Sequence, residues 1–311
     1  MKLVFCGTPQ FAVPTLEAVI AAGHEVALVL SQPDKPVGRS GEIRATPVKQ
    51  AALAHGIAVA QPEKLKHNEE LREMLKTIQP DAILVVAYGR IIPQWMLDLP
   101  RFGNINLHGS LLPRWRGAAP IQWAVAAGDA VTGVTTMLLN AGLDTGPMLL
   151  KREVPIGPHT TSPELFASLA EIGAPLMVET LAGLEAGTMT PQKQNEAEAT
   201  LAPILTRDGG RIDVSCDAQS IYNRFRGFQP WPGAWTTLRG KKLIVHAMHV
   251  EERRASSTLA GTLLIRDHAL LLTCAGGSAV ALDEVQMEGK KRMAAAEFLR
   301  GFQIKDGEQV A

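Results

Sequence analysis

The stretch that decides the fold runs from Gly103 to Gly117, and its sequence is GNINLHGSLLPRWRG. It begins as an apolar strand that carries the polar side chains of Asn106 and His108, and it continues as a loop punctuated by glycine and proline. Open α/β sheets place their chemistry where such a strand ends and such a loop begins. We therefore predict a functional site at the end of this strand.

Asn106 and His108 lie two positions apart, so their side chains point to the same side of an extended strand. Neither side chain belongs inside an apolar strand without polar partners. Asp144, in the later segment 140–147, adds a carboxylate. Together the three residues offer an amide donor, a titratable imidazole and a carboxylate. This set suits acyl transfer to an amine, and it contains no nucleophile of its own.

Each of these residues also has a simpler structural interpretation. A lone histidine is more often structural than catalytic, and an aspartate beside glycine, such as Asp144, is typical of an Asx turn. Residues 144–146 also form the Asp-Thr-Gly triplet of aspartic proteases, but that chemistry needs a second such triplet, which the sequence lacks. The convergence of three different groups favours a site over three separate structural roles.

The size and composition of the chain indicate two domains. With 311 residues and 46% hydrophobic residues, the chain can form two packed cores. The net charge is zero, which removes any argument from bulk electrostatics for a nucleic acid or a membrane as partner. The charge is uneven, however: residues 207–311 carry 15 basic against 12 acidic side chains, and residues 1–206 carry 16 against 19. This modest asymmetry is consistent with a polyanion near the second half.

The three cysteines are an odd number without paired spacing, so the sequence predicts neither a disulfide framework nor a metal site. We expect the protein in a reducing cytoplasm. No segment is expected to reach the roughly 18 apolar residues of a membrane span, so we expect no membrane association.

The first half alternates short apolar runs with helical patterns, which predicts an α/β fold with a doubly wound, mostly parallel sheet. Residues 188–203 are polar and without apolar periodicity, so we predict a catalytic domain at 1–189, a linker at 190–206 and a second domain at 207–311. The second domain has short β-rich runs at 241–250, 260–266, 270–273 and 279–285 after one predicted helix. That pattern predicts a small β-barrel, OB-like among other options.

Two further segments have two interpretations each. Residues 33–49 follow the second strand and carry four basic side chains, so they are either a solvated surface loop or a mobile arm that contacts phosphates. Residues 222–235 interleave arginines with aromatic rings. Such a segment can stack bases and hold phosphates, but ordinary packing at the start of a domain is the favoured interpretation.

These motifs together resemble the folate-dependent formyltransferase family. The resemblance rests on Asn106-x-His108, on the loop SLLPRWRGAAPI at 110–121 and on Asp144 in Leu-Asp-Thr-Gly, and segments 5–9, 32–39 and 221–233 extend it over nearly the whole chain. It implies a Rossmann-like formyltransferase domain and a C-terminal OB-like domain that helps to hold tRNA. It further implies formyl transfer from the co-substrate 10-formyltetrahydrofolate to the amino group of methionine on initiator methionyl-tRNA, for translation initiation, with no obligate protein partner.

The resemblance also implies a role for each matching residue. Asn106 would donate to the formyl oxygen, His108 would stabilise the tetrahedral intermediate or shuttle protons, and Asp144 would orient the imidazole and assist deprotonation of the amine. Arg39 would approach the tRNA acceptor stem, although the Ser-Gly-Glu that follows it departs from relatives with more lysine. The residues that would contact the folate are Ser110, Leu111, Leu112 and Pro113.

Direct attack of the amine on the formyl carbon needs neither a covalent enzyme intermediate nor a metal. Two alternatives remain open at this point. The same site could serve glycinamide ribonucleotide or a sugar nucleotide as acceptor, although a second domain favours a large anionic partner. The chain could instead be a nucleic-acid-binding protein whose α/β half senses a nucleotide, which would leave Asn106, His108 and Asp144 unexplained.

Overall fold

The apolar runs of the first half form strands in a computed structural model that describes residues 1–37, 41–252 and 259–311. Up to residue 203 the strands are β1 Lys2–Gly7, β2 Glu25–Leu30, β3 Lys35–Val37, β4 Glu42–Arg44, β5 Val59–Ala60, β6 Ala82–Val86, β7 Asn104–His108, β8 Arg116–Gly117, β9 Val131–Leu138, β10 Met148–Pro155 and β11 Leu201–Ala202. The helices are α1 Val13–Ala21, α2 Pro47–Ala54, α3 Glu69–Ile78, α4 Gln94–Leu97, α5 Pro120–Ala126 and α6 Ser162–Glu185.

Seven of these strands form one sheet in the order β10-β9-β7-β6-β1-β2-β5. The pairs among β5, β2, β1, β6 and β7 are parallel, and β9 and β10 add two antiparallel strands at one side. Strand β6 is apolar without alternation because both of its faces are covered, and every residue of β6 and of the more polar β7 is buried. The predicted α/β class with a Rossmann-like, doubly wound, mostly parallel sheet is confirmed.

The segment 33–49 is more ordered than the predicted loop. Its described residues form an antiparallel hairpin of β3 and β4, and α2 begins at Pro47. Thr46 caps this helix because its hydroxyl oxygen accepts a hydrogen bond from the Lys49 N–H at 3.2 Å. Arg39, which the sequence assigns to tRNA contact, lies outside the described residues.

The chain divides into two compact units, one of residues 1–120, 131–155 and 164–203 and the other of residues 121–130, 156–163 and 204–311. The segment from 190 to 203 therefore groups with the first unit, although its sequence shows no periodicity. It holds strand β11, which pairs in parallel with β8. The predicted boundaries of the linker stay a prediction, but the first part of that segment is structurally part of the first unit.

The second unit contains an antiparallel sheet whose two edge strands meet. Its elements are α7 Ala218–Gly227, β12 Ala234–Leu238, β13 Lys241–Glu251, β14 Thr262–Arg266, β15 Ala269–Thr273, β16 Ala279–Met287, β17 Met293–Ala294, α8 Ala295–Phe302 and β18 Glu308–Gln309. The strands are paired in the order β12-β13-β16-β15-β14-β18, and Ala311, two residues after β18, exchanges two backbone hydrogen bonds of 2.9 and 3.0 Å with Thr237 of β12. The predicted OB-like barrel is confirmed as the class of this domain.

Helix α6 departs from the expectation that no segment would be apolar enough to span a membrane. By length and composition alone this helix qualifies, but half of its most apolar window is buried inside the structure. Within the first unit, a Cβ added at Gly173 would lie 2.6 Å from the side chain of Leu107 in β7, so the helix approaches the sheet closely. Its apolar composition is therefore accounted for by packing against the core, and the absence of membrane association stays a prediction.

The turn before β6 contains an ionised carboxylate that joins the starts of two central strands. Asp81 accepts a hydrogen bond of 2.7 Å from the Lys2 N–H and pairs with Arg101 at 2.8 Å. The hydrogen bond from the Lys2 N–H lowers the pKa of Asp81 below its usual value. The nearby positive charge of Arg101 also lowers it, whereas burial acts in the opposite direction. A lowered folded-state pKa means that the stabilisation is present above the unfolded pKa of about 3.9 and is lost as the pH falls through the folded value.

We predict that Asp81→Asn lowers the melting temperature at pH 7 by roughly 2–4 °C, because the amide keeps the shape but loses the charge-assisted bonds. The difference from the parent protein should shrink as the pH is lowered from about 4 through the lowered folded-state pKa of Asp81, because the parent's carboxylate becomes protonated over that range. Thermal unfolding at several pH values, with the exposed Asp98→Asn as control, checks this. A melting-temperature difference that does not change with pH would contradict the assigned role.

Candidate functional site

Two of the three polar residues of β7, Asn106 and His108, lie toward the carboxyl end of this central strand. β7 pairs in parallel with β6 and antiparallel with β9, so that Asn106 faces Met137 and His108 faces Thr135 in the ladder. Asn106 is 9% exposed and His108 is 6% exposed. The strand thus holds an amide and an imidazole nearly buried, two residues apart, at the edge where the following loop begins.

The loop after β7 returns to His108 and fixes its ring. His108 Nε2 lies 2.9 Å from the carbonyl oxygen of Trp115. Because a carbonyl oxygen can only accept, Nε2 must carry the hydrogen and donate it. In the neutral imidazole the lone pair is therefore on Nδ1, and that nitrogen is available to take up a proton.

Asp144 lies on the Nδ1 side of this ring. Its Oδ2 atom is 3.8 Å from His108 Nδ1, and the same oxygen accepts a hydrogen bond of 2.9 Å from the Gly117 N–H. Asp144 has a left-handed backbone with φ of 51°, which is costly for a residue other than glycine and is typical of functional sites. The carboxylate is thus held on the side of the ring that carries the lone pair.

The Asn106 amide is available to bind a molecule from outside the chain. In the part of the chain that the structure describes, no group forms a hydrogen bond with this side chain, whereas Asn104 on the same strand donates to the carbonyl of Met96 at 2.9 Å. An amide N–H at the end of a central strand can donate to an oxygen that gains negative charge during a reaction. The structure thus places, on one strand, an imidazole nitrogen that carries a lone pair and an amide that can donate a hydrogen bond.

The predicted folate loop is held by hydrogen bonds from its own backbone and from β9. The hydroxyl of Thr135 donates to the Ser110 carbonyl at 2.7 Å and accepts from the Leu112 N–H at 3.1 Å. Ser110 is fully buried, and its hydroxyl donates to the Arg114 carbonyl at 2.6 Å. Leu112 and Pro113 are buried, while Leu111 is partly exposed. Lys151 donates to the Leu112 carbonyl.

The aromatic and basic segment 222–235 serves mainly for packing, which agrees with the interpretation that the sequence favours. Arg226 is 4% exposed and donates to the carbonyls of Gly157 and Thr160 at 2.9 and 2.8 Å. Phe228 is buried and makes an edge-to-face contact with Trp123. Trp231 is the exception, with 54% of its surface exposed.

Sequence reasoning missed four residues that support the site. The backbones of Trp115 and Gly117 contact His108 and Asp144, Thr135 holds the loop, and Gln194 donates to the carbonyl of Asp144 at 2.8 Å. The first two lie inside the stretch that predicts the site, but their role depends on backbone atoms that every residue has. Gln194 lies in a segment without any pattern, so no signal in the sequence identifies it.

The fold and the site together define an α/β group-transfer enzyme with an appended β-barrel domain. Comparison with known proteins then identifies the family. Residues 1–181 match the formyl transferase family, and residues 204–303 match the formyl transferase C-terminal domain. Because these matches cover most of the chain, the chain belongs to the formyl transferase family.

Individual relatives agree with this assignment. A methionyl-tRNA formyltransferase from Acidobacterium capsulatum is 63% identical over 303 residues, which cover 97% of this chain and 96% of that protein. Another from Koribacter versatilis is 56% identical over 311 residues, which cover 100% and 98%. An N-formyltransferase from Helicobacter canadensis, solved with folinic acid and dTDP-3-aminofucose, has a TM-score of 0.67 at 17% identity, with coverage of 92% and 99%. At that identity the last comparison shows the fold alone.

Gly117 offers a test of how the loop is held. Its φ is 124°, and an added Cβ would lie 2.7 Å from the backbone oxygen of Ala202 in β11. We predict that Gly117→Ala lowers the free energy of unfolding by roughly 1–3 kcal/mol, because strain and a backbone clash act together. Gly187→Ala is the control, since its φ of 67° is also left-handed but nothing lies within 4 Å of the added Cβ. The free energy of unfolding of both variants is measured by urea denaturation. Equal losses would contradict a clash between the Cβ added at position 117 and β11.

Proposed function

We propose that this chain transfers the formyl group of 10-formyltetrahydrofolate to the amino group of methionine on initiator methionyl-tRNA, in the cytoplasm, for translation initiation. The observation that carries the chemistry is the placement of two side chains two residues apart on β7. One is the Asn106 amide, which has no hydrogen-bond partner among the described residues, and the other is the His108 ring, whose Nδ1 lies 3.8 Å from Asp144. The acceptor is supported by relatives named methionyl-tRNA formyltransferase that are 63% and 56% identical over almost their whole length.

The formyl donor is supported by family membership and by the structural relative that was solved with folinic acid, a formylated folate. The loop of Ser110, Leu111, Leu112 and Pro113 is the segment we assign to the folate. Because Ser110 and Leu112 are buried and bonded within the protein, we infer that they shape the loop. The partly exposed Leu111 is the member of the loop with free apolar surface for a ligand.

Formyl transfer begins when the amine nitrogen of methionine attacks the formyl carbon and forms a new C–N bond. The carbonyl electrons move to oxygen, which becomes an oxyanion. The Asn106 amide donates a hydrogen bond to that oxygen, and one positioned donor of this kind lowers a barrier by ~3 kcal/mol. The tetrahedral intermediate then collapses, the bond from carbon to N10 of the folate breaks, and tetrahydrofolate leaves.

The proton that the amine loses passes through His108 to the leaving folate. The attacking amine becomes positively charged and must lose one proton, which the lone pair on His108 Nδ1 accepts. Asp144 stabilises the imidazolium that results, since its carboxylate is fixed 3.8 Å away by the Gly117 N–H. The imidazolium then gives its proton to N10 as the folate leaves, so no group on the enzyme changes its net protonation in a full cycle.

The first experiment measures transfer of labelled formyl from 10-formyltetrahydrofolate to methionyl initiator tRNA, with glycinamide ribonucleotide and amino-sugar nucleotides as parallel acceptors. We expect label on the tRNA alone. Label only on a small acceptor would keep the chemistry of the site and overturn the proposed acceptor. Binding of RNA without transfer to any acceptor would favour a binding protein and overturn the proposed enzyme.

The central catalytic prediction concerns His108. His108→Ala should lower kcat by ~10²-fold or more and leave the affinity for tRNA unchanged, because it removes the proton acceptor and none of the binding surface. His55→Ala is a matched control, since His55 also faces a carboxylate, Glu17, at 2.7 Å but lies on the surface. Near-parental turnover of His108→Ala would remove His108 from the mechanism.

The proposed tRNA contact of Arg39 rests on the sequence resemblance. Arg39→Ala should weaken the use of tRNA and make its salt dependence shallower, because fewer counterions are released when a phosphate contact is lost. Arg72→Ala on α3, where the Arg72 side chain is 42% exposed, is the control. If the KM for tRNA is the same in Arg39→Ala and the parent protein at every salt concentration, Arg39 does not contact the tRNA.

A further inference from the structure

Gln194 is a buried residue close to the proposed site. Both its amide nitrogen and its amide oxygen form hydrogen bonds there. It is 3% exposed, although it lies in the segment whose sequence predicts a linker. Its Nε2 donates to the carbonyls of Asp144 at 2.8 Å and of Gly146 at 2.7 Å. Its Oε1 accepts from Arg116 Nε at 2.9 Å. One side chain thus joins the Asp144 turn to strand β8.

The two segments that Gln194 joins are the ones that hold the catalytic groups. Arg116 lies between Trp115, whose carbonyl binds the His108 ring, and Gly117, whose N–H binds the Asp144 carboxylate. The distance between His108 and Asp144 is therefore set by how β8 and the Asp144 turn lie relative to each other. Among the described residues, Gln194 makes side-chain hydrogen bonds to both of these segments.

Gln194 is itself held in place. Arg116 is 5% exposed and forms two hydrogen bonds of 2.8 and 2.9 Å with Glu196. These bonds raise the pKa of the Arg116 guanidinium, so this residue stays charged. The backbone adds a further tie, because the Arg116 N–H donates to the Thr200 carbonyl at 2.8 Å. Arg116, to which Gln194 binds, is thus itself fixed by bonds to Glu196 and Thr200.

The physical consequence concerns the backbone of Asp144. A residue with φ of 51° relaxes to the ordinary right-handed or extended region unless the surrounding structure holds it. Without Gln194, the carbonyls of Asp144 and Gly146 lose their donor, and an unsatisfied buried carbonyl favours rearrangement of the turn. Rotation of this turn would carry the carboxylate away from the imidazole and leave the substrate-binding surfaces in place.

We propose that Gln194 is a positioning residue that holds the Asp144 carboxylate against His108 by tying the Asp144 turn to strand β8. The inference rests on the proposed formyl transfer for its kinetic readout. Gln194 touches neither the reacting groups nor His108, so it acts through Asp144. Part of the segment that the sequence predicts as a linker therefore supports catalysis.

The kinetic test compares Gln194→Met and Gln194→Glu with the parent protein. Met keeps the volume but removes all hydrogen bonds, and Glu keeps the acceptor for Arg116 but removes both donors. Both variants should lower kcat by roughly 10-fold with each KM within about 2-fold, the signature of a group that acts only in the transition state. Gln192→Met, an exposed neighbour in the same segment, should retain parental kcat. Parental kcat in Gln194→Glu would overturn the proposal.

A double-mutant cycle separates positioning from general destabilisation. In an Asp144→Asn background, Gln194→Met should lower the single-turnover rate constant by less than about 2-fold, because the group through which Gln194 acts is already impaired. A full loss of roughly 10-fold in that background would mean that the two residues act independently, and it would overturn the proposal.

A spectroscopic readout does not depend on turnover. Amide hydrogen exchange of Gly117 should become faster in Gln194→Glu, because its acceptor on Asp144 moves away, while exchange of the Arg116 N–H, bonded to Thr200, should be unchanged. Unchanged exchange at Gly117 would overturn the positioning role. A parent protein that transfers no formyl to methionyl-tRNA would overturn the proposed function instead, and this exchange measurement would still decide the role of Gln194.

Discussion

The hydrogen bond from His108 Nε2 to the Trp115 carbonyl is the interaction on which the rest of the site depends. It fixes the ring orientation, and because a carbonyl has no proton to donate, it also fixes which nitrogen is free. The free nitrogen faces Asp144, and the amide of Asn106 lies two residues earlier on the same strand. In the proposed mechanism, the direction of proton transfer therefore follows from one backbone oxygen.

This arrangement requires unusual backbone geometry in the segments that provide it. Trp115 has a φ of 64°, Gly117 of 124° and Asp144 of 51°. Such conformations persist only where the surrounding structure over-determines them. Here that support comes from the pairing of β8 with β11, from the two hydrogen bonds of Arg116 to Glu196 and from the donors of Gln194. Much of the support lies between residues 194 and 202, in a segment that carries none of the recognisable motifs.

The sequence was sufficient for those features that depend on side-chain pattern. Continuous apolar runs predict the central strands because both faces of a parallel strand are covered, and the two-residue spacing of Asn106 and His108 predicts their shared side. The pairing of His108 with Asp144 follows from the fold, because both residues lie at the same edge of the sheet. The apolar character of α6 is recognisable in the sequence, but its burial against the sheet is a tertiary property.

The features that escaped prediction depend on backbone atoms and on distant partners. A carbonyl such as that of Trp115 has no signature in the sequence, and an isolated glutamine such as Gln194 in a polar segment is ordinary until the tertiary structure shows its buried partners.

The most direct test of the proposed proton path is the protonation of the His108 ring. Two-dimensional ¹H–¹⁵N spectra of protein labelled at histidine distinguish a protonated ring nitrogen from an unprotonated one, and His108→Gln assigns the signal. We predict that the neutral His108 ring carries its hydrogen on Nε2, bonded to the Trp115 carbonyl, with Nδ1 unprotonated. A neutral ring protonated at Nδ1 would contradict this path, because Nδ1 would then have no lone pair with which to accept the proton of the amine.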